Sequence, residues 1–209
     1  MMNKSTTLPV KIIIIHDDMD EDYPLVVMLK DKYSDENIFF FKHSQEGLNF
    51  VLRNLGQKMV VLLDKNFKDK NDISGLKVFE KIREKTALVY VVLISANSIA
   101  DFTEDELKIL INKDLFKLDK FTNDYSSIIG LIDEAVSNID MRVDAAIEDW
   151  LVSNNANNNT PIYFTGGKQY SLQDILNEIR LETDLGKDFI RKMNTLTIEL
   201  LMRNKEKLA

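Results

Sequence analysis

Over roughly the first 124 residues, short apolar runs alternate with longer amphipathic stretches. Ile12, Ile13, Ile14 and Ile15 follow Lys11 without interruption, and β-branched or aromatic runs recur at 37–41, 59–63, 89–94 and, more briefly, 115–118. Between them, at 23–33, 44–55, 75–85 and 104–111, apolar residues recur every three or four positions, and a further such stretch starts near Tyr125. A strand that is apolar without alternation is buried on both faces, and strands separated by helices pair in parallel. The pattern predicts an α/β fold, a five-stranded parallel, doubly wound (flavodoxin-like) sheet with helices on both faces. Ser44 is expected to cap the second helix and Gly56 to close it, with Thr103 capping the fourth.

The last helical pattern runs long. From Ile128 to Leu151 there is no Pro, and no Gly after Gly130. Ile129, Ile132, Val136, Ile139, Val143, Ala146 and Trp150 are spaced alternately by three and four, as in a heptad seam. One extended last helix is therefore expected, its first half covering the sheet and its end projecting, with pairing to a second copy (a homodimer) as one outcome. A polar run follows, and then Tyr163, Phe164 and Tyr170 flank Gly166 and Gly167 as in a β-hairpin. Ser171 and Asp174 resemble a capping box for a helix over 172–182. A break at 183–186 precedes a final helix carrying Phe189, Met193, Leu196 and Leu200 on one stripe. The expected organisation is a tail (1–9), an α/β domain (10–140), a helix extension (141–153), a polar linker (154–160) and a small interaction module (161–209). A module of that size is marginal for independent folding, so it is expected to pack on the first domain, on its own copy or on a partner.

Composition narrows the chemistry. The chain has 209 residues and no cysteine, which excludes disulfides, thiolate zinc sites and cysteine nucleophiles. Two histidines, His16 and His43, leave little for a histidine-rich metal site or a Ser-His-Asp triad, and His43 is expected at the surface. With 34 acidic against 27 basic residues the formal charge is -7, which gives no long-range attraction to nucleic acid or anionic lipid. Residues 140–209 hold nine basic and eleven acidic residues, with a basic cluster only at 203–207, so DNA binding is disfavoured. No apolar run is long enough to cross a bilayer and residues 1–9 lack a signal-peptide core, so a cytoplasmic protein without a membrane partner is expected.

In a sheet of this type, ligands bind beyond the carboxyl ends of the strands. His16, Asp17 and Asp18 follow the first strand, Asp64 the third, and Ser95 and Ala96 the fourth, while Lys117 and Lys120 lie at the fifth. Asp17 and Asp18 belong to an acidic run (17–22) that elsewhere would be a solvated loop, and Asp64 alone would pass for a turn residue. Gathered at one edge, three carboxylates repel unless a cation compensates them, and a few carboxylates plus waters suit Mg2+. An aspartate nucleophile that accepts a phosphoryl group is the chemistry this set suggests. The 165–168 segment, Thr-Gly-Gly-Lys, lacks Walker spacing and reads as the hairpin turn.

Residues 10 to about 140 resemble a response-regulator receiver domain of two-component signalling. The resemblance rests on the 12–18 run ending in His16-Asp17-Asp18, then 60–66 with Asp64 and Asn66, Gly75-Leu76 and Arg83, then Leu93 to Ala96 and Leu118-Asp119-Lys120, in that order. It implies that Asp64 is the phosphoacceptor and that Mg2+ is held by Asp17, Asp18, Asp64 and the main-chain carbonyl of Asn66. Ser95 would hydrogen-bond the phosphoryl group and Lys120 would pair with it. Lys117 is the alternative lysine, because it keeps the common spacing from Ser95. The implied partners are a histidine kinase or a small phosphodonor, and the implied catalysis is no more than the protein's own phosphorylation and dephosphorylation. Aligned from Lys11, His16 takes the first acidic position, and the 64–75 stretch is longer than usual and lacks the customary proline. Two functions follow. The chain is a switch in which phosphorylation of Asp64 alters docking of the C-terminal module to a protein partner, or it is a pseudo-receiver that serves as an unphosphorylated adaptor. A DNA-binding regulator is a third reading, disfavoured by charge.

Overall fold

All four isoleucines of β1 (Lys11–Ile15) are shielded from solvent, and their alternation builds two cores at once. Ile12 and Ile14 enter one with Val60, Leu62, Val92 and Ile94, whereas Ile13 and Ile15 enter the other with Val61, Leu63, Val91 and Leu93. This computed structural model describes residues 9–122, 124–153 and 160–206; positions 1–8 of the tail, 123, 154–159 of the linker and 207–209 lie outside the described residues. The strands β2 (Ile38–Phe41), β3 (Met59–Asp64), β4 (Tyr90–Ser95) and β5 (Lys117–Lys120) join β1 in a parallel sheet of order β2-β1-β3-β4-β5. The first core is covered by α1 (Pro24–Tyr33) and α5 (Tyr125–Asp140), the second by α2 (Ser44–Arg53), α3 (Gly75–Arg83) and α4 (Glu104–Asn112). This is the five-stranded doubly wound α/β fold that the pattern predicts. Strand order reverses between β1 and β3, and the crevice for a ligand opens at their carboxyl ends.

Two local expectations change. β5 starts two residues later than its apolar run. Leu115 is taken by the end of α4, where its N–H donates to Leu110 O (2.9 Å) after Asp114 turns the chain at φ 51°, a Schellman closure. Ser44 is the first residue of α2 and not its cap. Its N–H and hydroxyl donate to Asp72 Oδ1 (2.8 and 3.0 Å), so a carboxylate from the loop after β3 starts this helix. Thr103 does cap α4, in a capping box with Glu106.

The single long helix expected across Tyr125 to Leu151 is two helices. α5 ends at Asp140, a turn spans Met141 and Arg142, and α6 (Val143–Ser153) follows. The turn is stabilised by a charge that must be met: Asp144 is buried and accepts two hydrogen bonds from the Arg142 guanidinium (2.9 and 2.8 Å). Burial alone would raise the Asp144 pKa, but Arg142 and Arg180 hold it below the usual carboxylate range. The apolar stripe is thereby divided, with Ile132 and Ile139 in the sheet core and Val143 and Ile147 packed against Ile175, Ile179 and Phe189. The 141–153 segment is not a continuation of the last sheet helix, and the continuous seam on which homodimer pairing rested is absent from the described residues.

Residues 9–140 form one compact unit and residues 141–206 lie in a second. β6 (Pro161–Thr165) and β7 (Lys168–Ser171) make the expected hairpin, and Gly166 and Gly167 take φ 55° and 73°, the left-handed pair of a type I′ turn. The box of Ser171 and Asp174 opens α7 (Leu172–Arg180). The last helix, α8 (Asp184–Glu206), starts earlier than its apolar pattern because Thr183 Oγ1 accepts from Gly186 N–H (3.1 Å) and caps it. Of its predicted stripe Phe189 is buried, whereas Met193, Leu196 and Leu200 are exposed with Ile198, Leu201 and Met202.

Arg180 ties this unit together, donating to Asp144 (3.2 Å) and pairing with Glu148 (2.7 Å) in a dry environment. Removing one partner leaves buried charge uncompensated, which typically destabilises by about 3–5 kcal/mol. Arg180→Ala is expected to lower the urea midpoint of the C-terminal unit accordingly, followed by Trp150 fluorescence; an unchanged midpoint would show the network to be dispensable.

Candidate functional site

Parallel pairing delivers the candidate residues to one edge of the sheet. Asp64 ends β3 opposite Ile94 of β4, and Ser95 sits opposite Lys120 of β5. Just beyond β1, His16 donates its N–H to Phe41 O (3.0 Å), which fixes the start of the acidic run. A cavity of about 400 Å3 opens there, with His16, Asp18, Asp64, Asn66, Lys68 and Phe121 among its walls.

Asp64 is buried at its floor, and burial pushes its pKa up to about 7. The Asn66 N–H, 3.3 Å from Oδ1, opposes that shift, while the charges of Asp17 and Asp18 add to it. α3 approaches closely: a Cβ on Gly75 would lie 1.9 Å from the Asp64 carbonyl oxygen, so glycine is required for the helix to start where it does. The Gly75 N–H donates to Lys65 O (2.8 Å) at that crossing.

His16 behaves as a donor. Its Nδ1 accepts from Asp18 N–H (3.1 Å), so the neutral ring carries its proton on Nε2, which lies 3.9 Å from Asp64 Oδ2. Burial holds its pKa below the usual imidazole value despite Asp17 and Asp18. Its ring leans on Phe121, with centroids 5.4 Å apart.

The two acids after His16 have different tasks. Asp17 accepts the Lys68 N–H at Oδ2 (2.7 Å), while its Oδ1 is buried without a hydrogen-bond partner among the described residues. Ligand atoms of His16, Asp17 and Asp64 lie within 4.8 Å of one another. Asp18 is outside that cluster and takes the Lys68 ammonium at Oδ1. Two carboxylates with an orphaned oxygen fit a hard divalent ion, whereas the imidazole, presenting N–H, does not serve as its ligand. Asp17 and Asp64 are the carboxylates that this cluster offers to such an ion.

The two candidate lysines are separated by the ladder. Lys117 pairs with Val92, three residues before Ser95 along the sheet, and its ammonium meets Glu134 of α5 at 2.9 Å. Lys120 stands beside Ser95 at the crevice end. Among the described residues no hydrogen bond or ion pair joins Lys120 to Asp64. The Ser95 hydroxyl is buried and accepts from Asn97 N–H (3.1 Å). His43 is exposed, as expected, and its Nδ1 is 3.1 Å from Asp72 Oδ2.

Sequence reasoning missed three residues of this region. Lys68 reaches back to Asp17 and Asp18 from a charged loop, and Phe121 walls the cavity. Lys65 is buried next to Asp64, with its ammonium on Glu106 (3.0 Å) and over the Phe102 ring (3.7 Å). Phe121 could have been found as the aromatic directly after Lys120; nothing local distinguishes Lys68 from Lys70.

Solved structures share the fold of the N-terminal unit. A CheY-like response regulator receiver domain protein from Methanospirillum hungatei matches at a TM-score of 0.52 with 13% identity, over 64% of this chain and 98% of that one. The N-terminal unit has the receiver fold. A probable two-component response regulator/GGDEF domain protein matches at 0.51 with 11% identity, over 63% of this chain and 51% of its own. The N-terminal domain of an uncharacterized protein from Wolinella succinogenes gives 0.48 with 16% identity, over 61% and 93%. No protein-family model matches the chain, and no curated protein does. At these identities the likeness of the receiver unit is one of fold.

Two expectations follow. Gly75→Ala forces backbone apart at the Asp64 carbonyl and is expected to lower stability by about 2–3 kcal/mol in thermal or urea unfolding. Gly130→Ala in α5, where a Cβ meets nothing within 4 Å, should instead be neutral or stabilising by up to ~1 kcal/mol. The second expectation concerns pH. The folded pKa of Asp64 lies above its ordinary 3.8, so its contribution to stability is complete below that value and is lost as pH rises toward about 7. In metal-free buffer Asp64→Asn should match the wild type near pH 4 and exceed it above pH 7 by on the order of 3 kcal/mol, read from urea unfolding across that range. A constant difference at all pH values would contradict a raised pKa.

Proposed function

We propose that this protein is a phosphorylation switch in which Asp64 accepts a phosphoryl group from a histidine kinase or a small phosphodonor. The observation that carries the reading is Asp64 itself, a buried carboxylate at the crevice of a receiver fold, flanked by Asp17 and by the Ser95 and Lys120 edge. A carboxylate oxygen of Asp64 attacks phosphorus, the bond from phosphorus to the donor breaks, and the donor leaves with that electron pair. Burial favours the neutral acid, so the attacking anion depends on positive charge nearby. Lys120 supplies an ammonium from the edge strand, and Ser95 turns its hydroxyl from Asn97 to donate to a phosphoryl oxygen. Mg2+, held by Asp17, Asp64 and the Asn66 carbonyl with Asp18 beside them, would neutralise charge on the transferring group.

The product carries more negative charge at the crevice than the free carboxylate, and that change alters docking of the C-terminal unit to a protein partner. The exposed apolar residues of α8 suit a protein rather than nucleic acid. No described helix is long and apolar enough to cross a membrane, and we place the protein in the cytoplasm with its kinase. Its catalysis is limited to its own phosphorylation and dephosphorylation. The adaptor reading is favoured by one observation: His16 Nε2–H and the Lys68 ammonium already meet the acidic crevice without phosphate.

The test is intact-protein mass after incubation with acetyl phosphate and Mg2+. A base-labile phosphoryl adduct, absent from Asp64→Asn, is expected. No adduct, together with no thermal shift in beryllofluoride, would give the protein to the adaptor reading.

A further inference from the structure

The loop that crosses the crevice is anchored at both ends. Gly75 N–H holds Lys65 O, Asp72 N–H donates to Asp69 O (3.1 Å), and Asp72 caps α2 through Ser44. Between these anchors Lys68 makes two contacts of different kinds. Its main-chain N–H grips Asp17 Oδ2, and its ammonium sits on Asp18 Oδ1. The first contact is independent of the side chain; the second is the side chain's alone.

We infer that Lys68 is the site's resident cation, an ammonium held on Asp18 that competes through its charge with a divalent ion loading at the adjoining Asp17 and Asp64. The inference rests on reading the crevice as a cation site. The Lys68 N–H fixes one oxygen of Asp17 and leaves the other buried and unpartnered, the state of a ligand oriented from behind. The ammonium offsets part of the repulsion among Asp17, Asp18 and Asp64 while the ion is away. Side-chain exposure is 74% for Lys68 and 54% for Asp18, so the pair is weak and can be displaced. Lys68 thus sets how much divalent ion the site needs before it loads, and the charge held on Asp18 travels with the loop that orients Asp17.

Titration calorimetry of Mg2+ and Mn2+ into the full chain at low ionic strength tests this. Lys68→Gln keeps the main-chain bond and removes the ammonium, and it should bind both ions about three- to tenfold more tightly than the wild type. Lys70→Gln, the same charge change at an exposed position in the same loop, should shift affinity less than about twofold. In an Asp18→Asn background the Lys68→Gln gain should vanish, because the pair is already broken. Equal shifts for Lys68→Gln and Lys70→Gln, or a Lys68→Gln gain that survives Asp18→Asn, would overturn the competition while leaving the cation site intact. Absence of ion binding in every variant would overturn both the inference and the cation site on which it rests.

Discussion

Asp17, Asp18 and Asp64 reach the same edge because the register of β1 and β3 cannot slip. A shift of one residue would turn every isoleucine of β1 to the opposite face and break two cores at once. The hydrophobic sheet thus forces like charges together in a place where water cannot fully screen them. Much of what surrounds the crevice answers that constraint. Asp64 moves toward its neutral form, His16 stays neutral and offers N–H, and Lys68 brings an ammonium across from the loop. Protonation of Asp64 and the Lys68 ammonium each lower the net negative charge without an added ion, whereas the neutral His16 adds none; only the first leaves Asp64 less nucleophilic than a solvated carboxylate at the same pH.

The sheet and its helices were legible in the sequence because apolar burial is periodic and local. The β3 and β4 runs, the hairpin glycines and the capping boxes of Thr103 and Ser171 all announce themselves within a few residues. What was not legible depends on partners distant in sequence. Ser44 has the chemistry of a cap, yet Asp72, nearly thirty residues away, competes for its N–H. The break after Asp140 is invisible to heptad spacing, since the apolar steps continue through it. It becomes intelligible only once Asp144 is seen to be buried between Arg142 and Arg180. Lys117 and Lys120 differ by three positions on an edge strand with few apolar residues, where pattern alone cannot fix register. Asp17, Asp64 and Ser95 could be placed at the strand ends from the pattern, whereas Lys68 reaches Asp17 and Asp18 through loop conformation, which no spacing rule encodes.

The second unit is organised on different terms. Its apolar core is small, built around Ile175, Ile179 and Phe189, and a buried ionic knot supplements it. Such knots add little net stability over well-packed hydrophobes, but they strongly penalise any arrangement that separates the charges. A small unit that depends on charge pairing in this way has one preferred packing of α6 on α7. Most of α8 lies outside that core, and its outer half keeps apolar side chains in solvent.

The cap that Asp72 gives to α2 has a consequence for motion. A surface loop of this length would ordinarily swing as a whole. Here a full swing uncaps α2, a loss typically of ~1 kcal/mol, and it also breaks the contact of Gly75 with the end of β3. The loop is tied in its middle as well, by the Lys68 N–H on Asp17, while its far end is joined to the helix that it begins. Anything that frays the start of α2 therefore also loosens the segment that orients Asp17 at the crevice.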